Sequence, residues 1–430
     1  MITAEKVLNT SQRKTRLEYL FVLAIPILNV VASNTTDYFP DNTLNPGIVR
    51  AIIIGFFAAY FVIKRYPFNG INRFVLAYLV YYAILVAFST NFLFSLNLYL
   101  KLFLGVIMFP IGYFYINNVE KFRQLILIFL IALVLQIINI IIVNFFKLGT
   151  SDYLKDSFYF GSARVNITKS ILVLVFIAPI AFNIFRNRIN YLVIIYLAGF
   201  IVSMIGIKRA VLLSGLGGLI IYVFLKKQKA NLIKAGLGIG MVMLVGLTIF
   251  PRYLDVFLSR YQARGDQMQI KTEIIDEESR YDETIRVTDT WVKGSIRHKL
   301  IGSEIFNDRK FFKTDRMLHT DYMIILNGSG AIGLFLWFYI FWVVIKEKNR
   351  YYKYVKNRIL YQEMNSVFYI FLIIQLILSI SGTVYNIEVR SIFFLYWGAL
   401  IGTMRSTAVH VFTETNHYNS KLDTEPKRVQ

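Results

Sequence analysis

The chain has 430 residues, 56% of them hydrophobic, and a mean hydropathy of +0.53, which excludes an ordinary soluble globular protein. Its formal net charge is +21, from 47 basic and 26 acidic residues, with a pI near 9.8. Most of the cations fall in short loops between apolar runs, where they set membrane orientation, so they do not point to nucleic acid. Cysteine is absent, which excludes disulfides, thiolate metal sites and cysteine nucleophiles. The four histidines (His298, His319, His410 and His417) show no metal-ligand spacing.

The apolar runs predict an all-α polytopic membrane protein, because lipid leaves backbone groups no partners except within a helix. Twelve spans are expected, near 18–34, 48–63, 74–89, 97–116, 124–146, 170–185, 190–207, 210–225, 232–250, 322–345, 367–385 and 390–404. The first follows a short basic segment (Lys6, Arg13, Lys14, Arg16) with no small-residue cleavage site, and reads as a retained span. The chain then divides into nine transmembrane helices over 1–250, a large external loop over 251–320, three more helices over 321–404 and a cytoplasmic tail over 405–430.

Orientation follows the basic residues of short loops. The segment NTTDYFPDNTLNPG (34–47) carries acids and no lysine or arginine, and STNFLFSL (89–96) is neutral. KRYPFNGINR (64–73), EKFR (120–123), RNR (186–188), KKQK (226–229) and KEKNRYYKYVKNR (346–358) are basic. The alternation places both termini in the cytoplasm.

Lys208 and Arg209, in GIKRAVLLSG (206–215), break that pattern by falling outside. Dropping the short, Pro179-containing run at 170–185 would return them to the cytoplasm, but KKQK would then face outward, a worse violation. Lys101, Arg164, Lys169 and Arg390 gather at the same outer edge. For Lys101, Lys169 and Arg390, snorkelling to lipid headgroups competes with membership of a site.

Within the loop, YLDVFLSRYQARGDQ and DETIRVTDTWVKGSI read as short amphipathic helices that lie on the membrane or cap a cavity. The acids of EIIDEESRYDE (273–283) read as a solvated face rather than a cation site. Two stretches carry more: RVTDTWVKGSIRHKLIG, from Arg286 through Trp291 to Gly302, and HTDYMIILNGSGAIGLF, from His319 through Gly330 and Gly333.

An external arginine, a tryptophan about a turn later, a glycine after the helix, and a histidine before a span with G-x-x-G resemble the O-antigen ligase/polymerase family. Lys208–Arg209–Ala210 is similar to that family's external arginine in a short turn between two helices. In the ligase pattern the histidine precedes Asn, Ser or Gln, nine further residues and G-x-x-G; here Thr320 stands in the second place instead, and the remaining spacing to Gly330 fits. In the polymerase pattern a loop arginine precedes a glycine by sixteen positions, as Arg286 precedes Gly302. The usual Pro-x-Gly-x-Gly stretch after the loop helix is reduced here to LIGSE.

The resemblance implies a GT-C-like fold and an inner-membrane enzyme that transfers polyprenyl-diphosphate-linked sugars at the periplasmic face. Its partners would be an undecaprenyl-diphosphate-linked oligosaccharide donor and acceptor, membrane lipids, and a chain-length regulator and flippase. Arg209 and Arg286 become candidates to stabilise the leaving diphosphate, since the guanidinium fork binds phosphate oxygens bidentately and stays charged. Lys208 and Arg164 stand in reserve, and two fixed cations supply charge in place of a metal ion or other cofactor. His319 becomes the candidate base, because imidazole titrates near physiological pH. Trp291 is assigned to glycan binding. Asp282 and Glu283 are fallback bases whose alternative job is pairing with arginine. His298 reads as a surface residue, and Gly330 and Gly333 as helix-packing positions.

The leading expectation is an inverting, metal-independent O-antigen polymerase that moves a growing chain from its carrier onto a lipid-linked repeat. An O-antigen ligase, delivering the chain to lipid A core, is the alternative. A transporter or flippase fits less well: the chain shows no evident repeat, and its ionisable groups crowd one rim.

Overall fold

The computed structural model describes residues 2–35, 45–148, 159, 161, 167–205, 209–226, 279–306 and 318–424. Every element in it is helical: α1 (Ile2–Thr35), α2 (Pro46–Lys64), α3 (Gly70–Ala87), α4 (Phe92–Val106), α5 (Met108–Tyr115), α6 (Val119–Phe145), α7 (Ile167–Val175), α8 (Ala178–Ile184), α9 (Ile189–Ile205) and α10 (Arg209–Lys226). After the loop come α11 (Ser279–Lys293), α12 (Ile296–Ile301), α13 (Asp321–Val355), α14 (Ile359–Ser379) and α15 (Ile387–Thr424).

Among the described residues nine helices are long and apolar enough to cross a membrane, so the chain is a polytopic helical membrane protein. The run at 170–185 is a bent pair, α7 and α8, meeting at 44°. Pro179 explains the break, since it cannot donate to the carbonyl one turn earlier. Helix α10 is short and apolar, whereas the expected span at 232–250 lies outside the described residues. Side-chain caps set several helix starts: Asn45 accepts from the Ile48 amide at 3.0 Å, Asn118 from the Lys121 amide at 2.9 Å and Asn386 from the Val389 amide at 3.1 Å.

Helix α15 is the axis of the bundle and runs unbroken past 404 to Thr424. Its Gly398 and Gly402, one G-x-x-x-G step apart, meet α5 so closely that a methyl group on Gly398 would lie 2.0 Å from the Phe109 carbonyl oxygen. Gly112 returns the contact against Leu395. Small residues at these points replace the hydrophobic drive that lipid does not supply.

Helix α13 is kinked at Gly330, whose φ of 63° and ψ of −164° lie outside helical geometry. The bend seats α12 in the notch: a Cβ on Gly302 (φ 78°) would meet Gly328 and Ser329 backbone at 2.4–2.5 Å, and one on Gly330 would meet Leu300 at 2.4 Å and the Gly302 nitrogen at 2.6 Å. Both positions need the left-handed region, and both need the missing side chain. Carbonyls released by the kink find partners outside the helix. The Asn327 oxygen accepts from the Ser303 amide at 2.8 Å, and the Ser329 oxygen from the Tyr81 hydroxyl at 2.9 Å.

One further clasp fixes the end of the loop. The Glu304 carboxylate accepts from the Ser89 and Thr90 hydroxyls at 2.7 and 2.8 Å and from the Thr90 amide at 2.6 Å, just before α4 begins. The start of α13, the start of α4 and the loop end therefore share one side of the bundle, called below the His319 side.

Candidate functional site

Helix α11 turns one stripe inward. Glu283 and Val287 are buried and Trp291 half-buried at successive i+4 positions, while Arg286 and Asp289 are exposed. The acidic stretch is therefore not simply a solvated face. Glu283, wholly buried, accepts from the His319 backbone amide at 3.0 Å with one oxygen and meets His319 Nδ1 at 2.8 Å with the other. A carboxylate only accepts, so the hydrogen lies on Nδ1 and the lone pair of the neutral ring lies on Nε2. The His319 side chain is 48% exposed, which leaves that second nitrogen reachable.

Beneath the histidine, the turn between α14 and α15 is bound to the start of α13 by buried charge. Asp321 Oδ1 accepts from the Thr383 and Val384 amides at 2.7 and 2.8 Å. Its Oδ2 takes the Thr383 hydroxyl at 2.8 Å and Arg390 Nη2 at 3.4 Å. Arg390 also donates through Nε to the Thr383 carbonyl at 3.1 Å, and its guanidinium stacks 4.6 Å from the Trp337 ring centre. On the other flank Lys169 Nζ donates to the Gly382 carbonyl at 2.9 Å. Gly382 itself (φ 76°) lies so close that a Cβ there would be 2.3 Å from the His319 carbonyl oxygen.

The snorkelling reading therefore fails for two of the three outer-edge cations. Arg390 is fully buried and ion-paired, and Lys169 is buried and braces the 380–386 turn. Lys101 lies deeper along its helix than expected, because α4 starts at Phe92 rather than near 97.

Other predicted residues divide by position. Arg286 is exposed one turn on from Glu283, so their Cβ atoms are about 5–6 Å apart on the helix surface. Trp291 uses its indole N–H on the Lys299 carbonyl at 2.9 Å, joining α11 to α12. His298 is half-buried against Gly294 rather than fully at the surface. Gly333 packs against the Tyr82 hydroxyl of α3, in keeping with a packing role, whereas Gly330 is the kink. Arg209 opens α10, but its side chain lies outside the described residues, as does that of Asp282. Lys208, Arg164 and the helix expected over 253–267 also lie outside them.

Sequence reasoning missed Asp321 and a second buried polar group. Gln136, in the middle of α6, donates to Glu388 and, at 2.7 Å, to Ser170. Glu388 follows a turn and, with Asn386, Arg390 and Ser391 close by in the chain, resembles an ordinary helix-start acid. No protein-family model and no curated protein sequence matches the chain.

Proposed function

We propose that the chain is a glycosyltransferase of the bacterial inner membrane that acts on polyprenyl-diphosphate-linked glycans at its periplasmic face, as an O-antigen polymerase. The observation that carries the reading is the pairing of His319 with the buried Glu283 at the mouth of a span, with the exposed Arg286 one turn away. An oriented imidazole with one free nitrogen is what a hydroxyl acceptor needs, and an arginine beside it suits a diphosphate leaving group.

The reaction follows from those roles. A hydroxyl of the acceptor's terminal sugar attacks the anomeric carbon of the donor glycan. His319 Nε2 takes the hydroxyl proton as the new carbon–oxygen bond forms. The bond from the anomeric carbon to the phosphate oxygen breaks, and undecaprenyl diphosphate departs with the electron pair. Attack opposite the leaving group inverts the anomeric centre. Glu283 holds the ring and offsets its gained charge. Arg286 and Arg209 meet the charge that develops on the diphosphate.

The eleven-residue step from His319 to Gly330 favours a ligase, with lipid A core as acceptor, as the second reading. A single experiment separates them: His319→Ala or Arg286→Ala in the native host, with lipopolysaccharide resolved on a gel. Core carrying one repeat marks a lost polymerase. Bare core with long chains on the lipid carrier marks a lost ligase. Unchanged banding in both variants refutes both enzymes.

A further inference from the structure

Two cations near the seam of α2 and α4 have no role in the site above. Arg50 lies one turn into α2 and Lys101 nine residues into α4, about 14 Å along that helix. Arg50 Nη1 donates to the Ser33 hydroxyl at 3.4 Å, and its Nε is buried with no partner among the described residues. Its charge also feels Glu388, and it repels Lys101, whose ammonium has no hydrogen bond or ion pair among the described residues. The Glu388 carboxylate already accepts from Gln136, so Arg50 is not its sole partner.

The surroundings give the pair its meaning. Ile48, Ile52 and Ile53 of α2 and Leu100 of α4 are exposed apolar side chains, so this seam faces lipid. Like charges in a poorly screened setting repel, and an unpaired buried guanidinium donor costs free energy. An anion bound between them removes both penalties. Arginine and lysine together suit the tetrahedral oxygens of a phosphate. Open to the bilayer, the seam admits a headgroup that never leaves the membrane.

We propose that Arg50 and Lys101 form an anion site, on the His319 side of the membrane, that binds the phosphate of a lipid. The site stands apart from His319 and Glu283, and it does not depend on the transfer reaction.

The test is native mass spectrometry of the full-length protein released from detergent. One arm supplies phosphatidylglycerol, a second undecaprenyl diphosphate and a third inorganic pyrophosphate. Wild type should retain a lipid phosphate adduct, and Arg50→Gln with Lys101→Gln should retain about tenfold less, as expected for losing charge-assisted bonds. The charge-conserving pair Arg50→Lys and Lys101→Arg should keep most of it, which shows that the loss is one of charge. Should the double glutamine variant fail to fold, Lys101→Glu alone carries the test and should lose the adduct. Preference for undecaprenyl diphosphate identifies the isoprenoid carrier, and preference for phosphatidylglycerol identifies bulk phospholipid. Equal adducts in wild type and charge-removed variants overturn the site, as does pyrophosphate bound as well as either lipid. His319→Ala should keep the adduct, so a wild type that binds lipid but transfers no glycan would refute the reaction and spare this site.

Discussion

Glu283 holds His319 twice, by its backbone amide and by its ring, across 36 residues of chain. A side chain fixed at both points cannot turn without breaking one bond, so the position of Nε2 is set before any substrate arrives. If that pairing serves proton transfer, His319→Ala should reduce transfer by about 10²–10⁴-fold. Glu283→Ala should cost about 10²-fold, and Glu283→Gln at least as much, because its amide nitrogen must face one of two donors and, turned to Nδ1, would force the ring hydrogen onto Nε2. Rates measured on the double variant should show little further loss beyond His319→Ala, because the two act as a unit.

The interlocked glycines govern stability rather than chemistry. Gly302→Ala and Gly330→Ala each place a Cβ within 2.6 Å of backbone at a positive φ. Each should destabilise the chain by about 2–5 kcal/mol, combining backbone strain with overpacking. Thermal unfolding in detergent, followed by size-exclusion chromatography, measures this. Because the residues face one another, the double variant should lose less than the sum of the singles.

Asp321 and Arg390 form a wholly buried ion pair. Removing one partner strands the other charge, so Asp321→Ala or Arg390→Met should each cost about 3–5 kcal/mol. The combined variant should recover part of that loss in the same melting assay. A double variant less stable than both singles would contradict this account.

Gly382→Ala probes the link from that pair to the histidine. Its methyl group would press on the His319 carbonyl oxygen, 2.3 Å away, and displace the residue from Glu283. If His319 serves as the base proposed above, transfer should fall by about tenfold or more, since small misplacements of a catalytic group are costly. The protein should still insert and purify. Lys169→Met, which frees the same turn from its other flank, should produce a milder version of the effect.

Sequence order made some of this visible and hid the rest. Span positions follow from apolar runs, because a helix in lipid is specified locally. His319, Gly302 and Gly330 stood out through spacing, yet the reason the two glycines matter together is a contact between the loop and α13 that no local pattern encodes. Glu283 reads in sequence as a fallback base or arginine partner beside Asp282, since nothing near it in the chain announces its burial or its bond to His319. Asp321 and Arg390 are 69 residues apart, and Lys169 and Gly382 still further. The GSG at 328–330 scans as a tolerable interruption of an apolar helix, so the bend escaped notice.

That bend has a consequence for how the protein is made. Helix α12 leaves the ribosome before α13, so the surface that fills the notch exists before the notch does. A peptide spanning only 318–355 lacks Ser303 and Tyr81, and in lipid its Asn327 and Ser329 carbonyls would go unpaired if it bent. Alone it should therefore straighten. The shape of this helix belongs to its neighbours: it is moulded in place after insertion, so the ledge carrying His319 is complete only once the chain on both sides has been assembled.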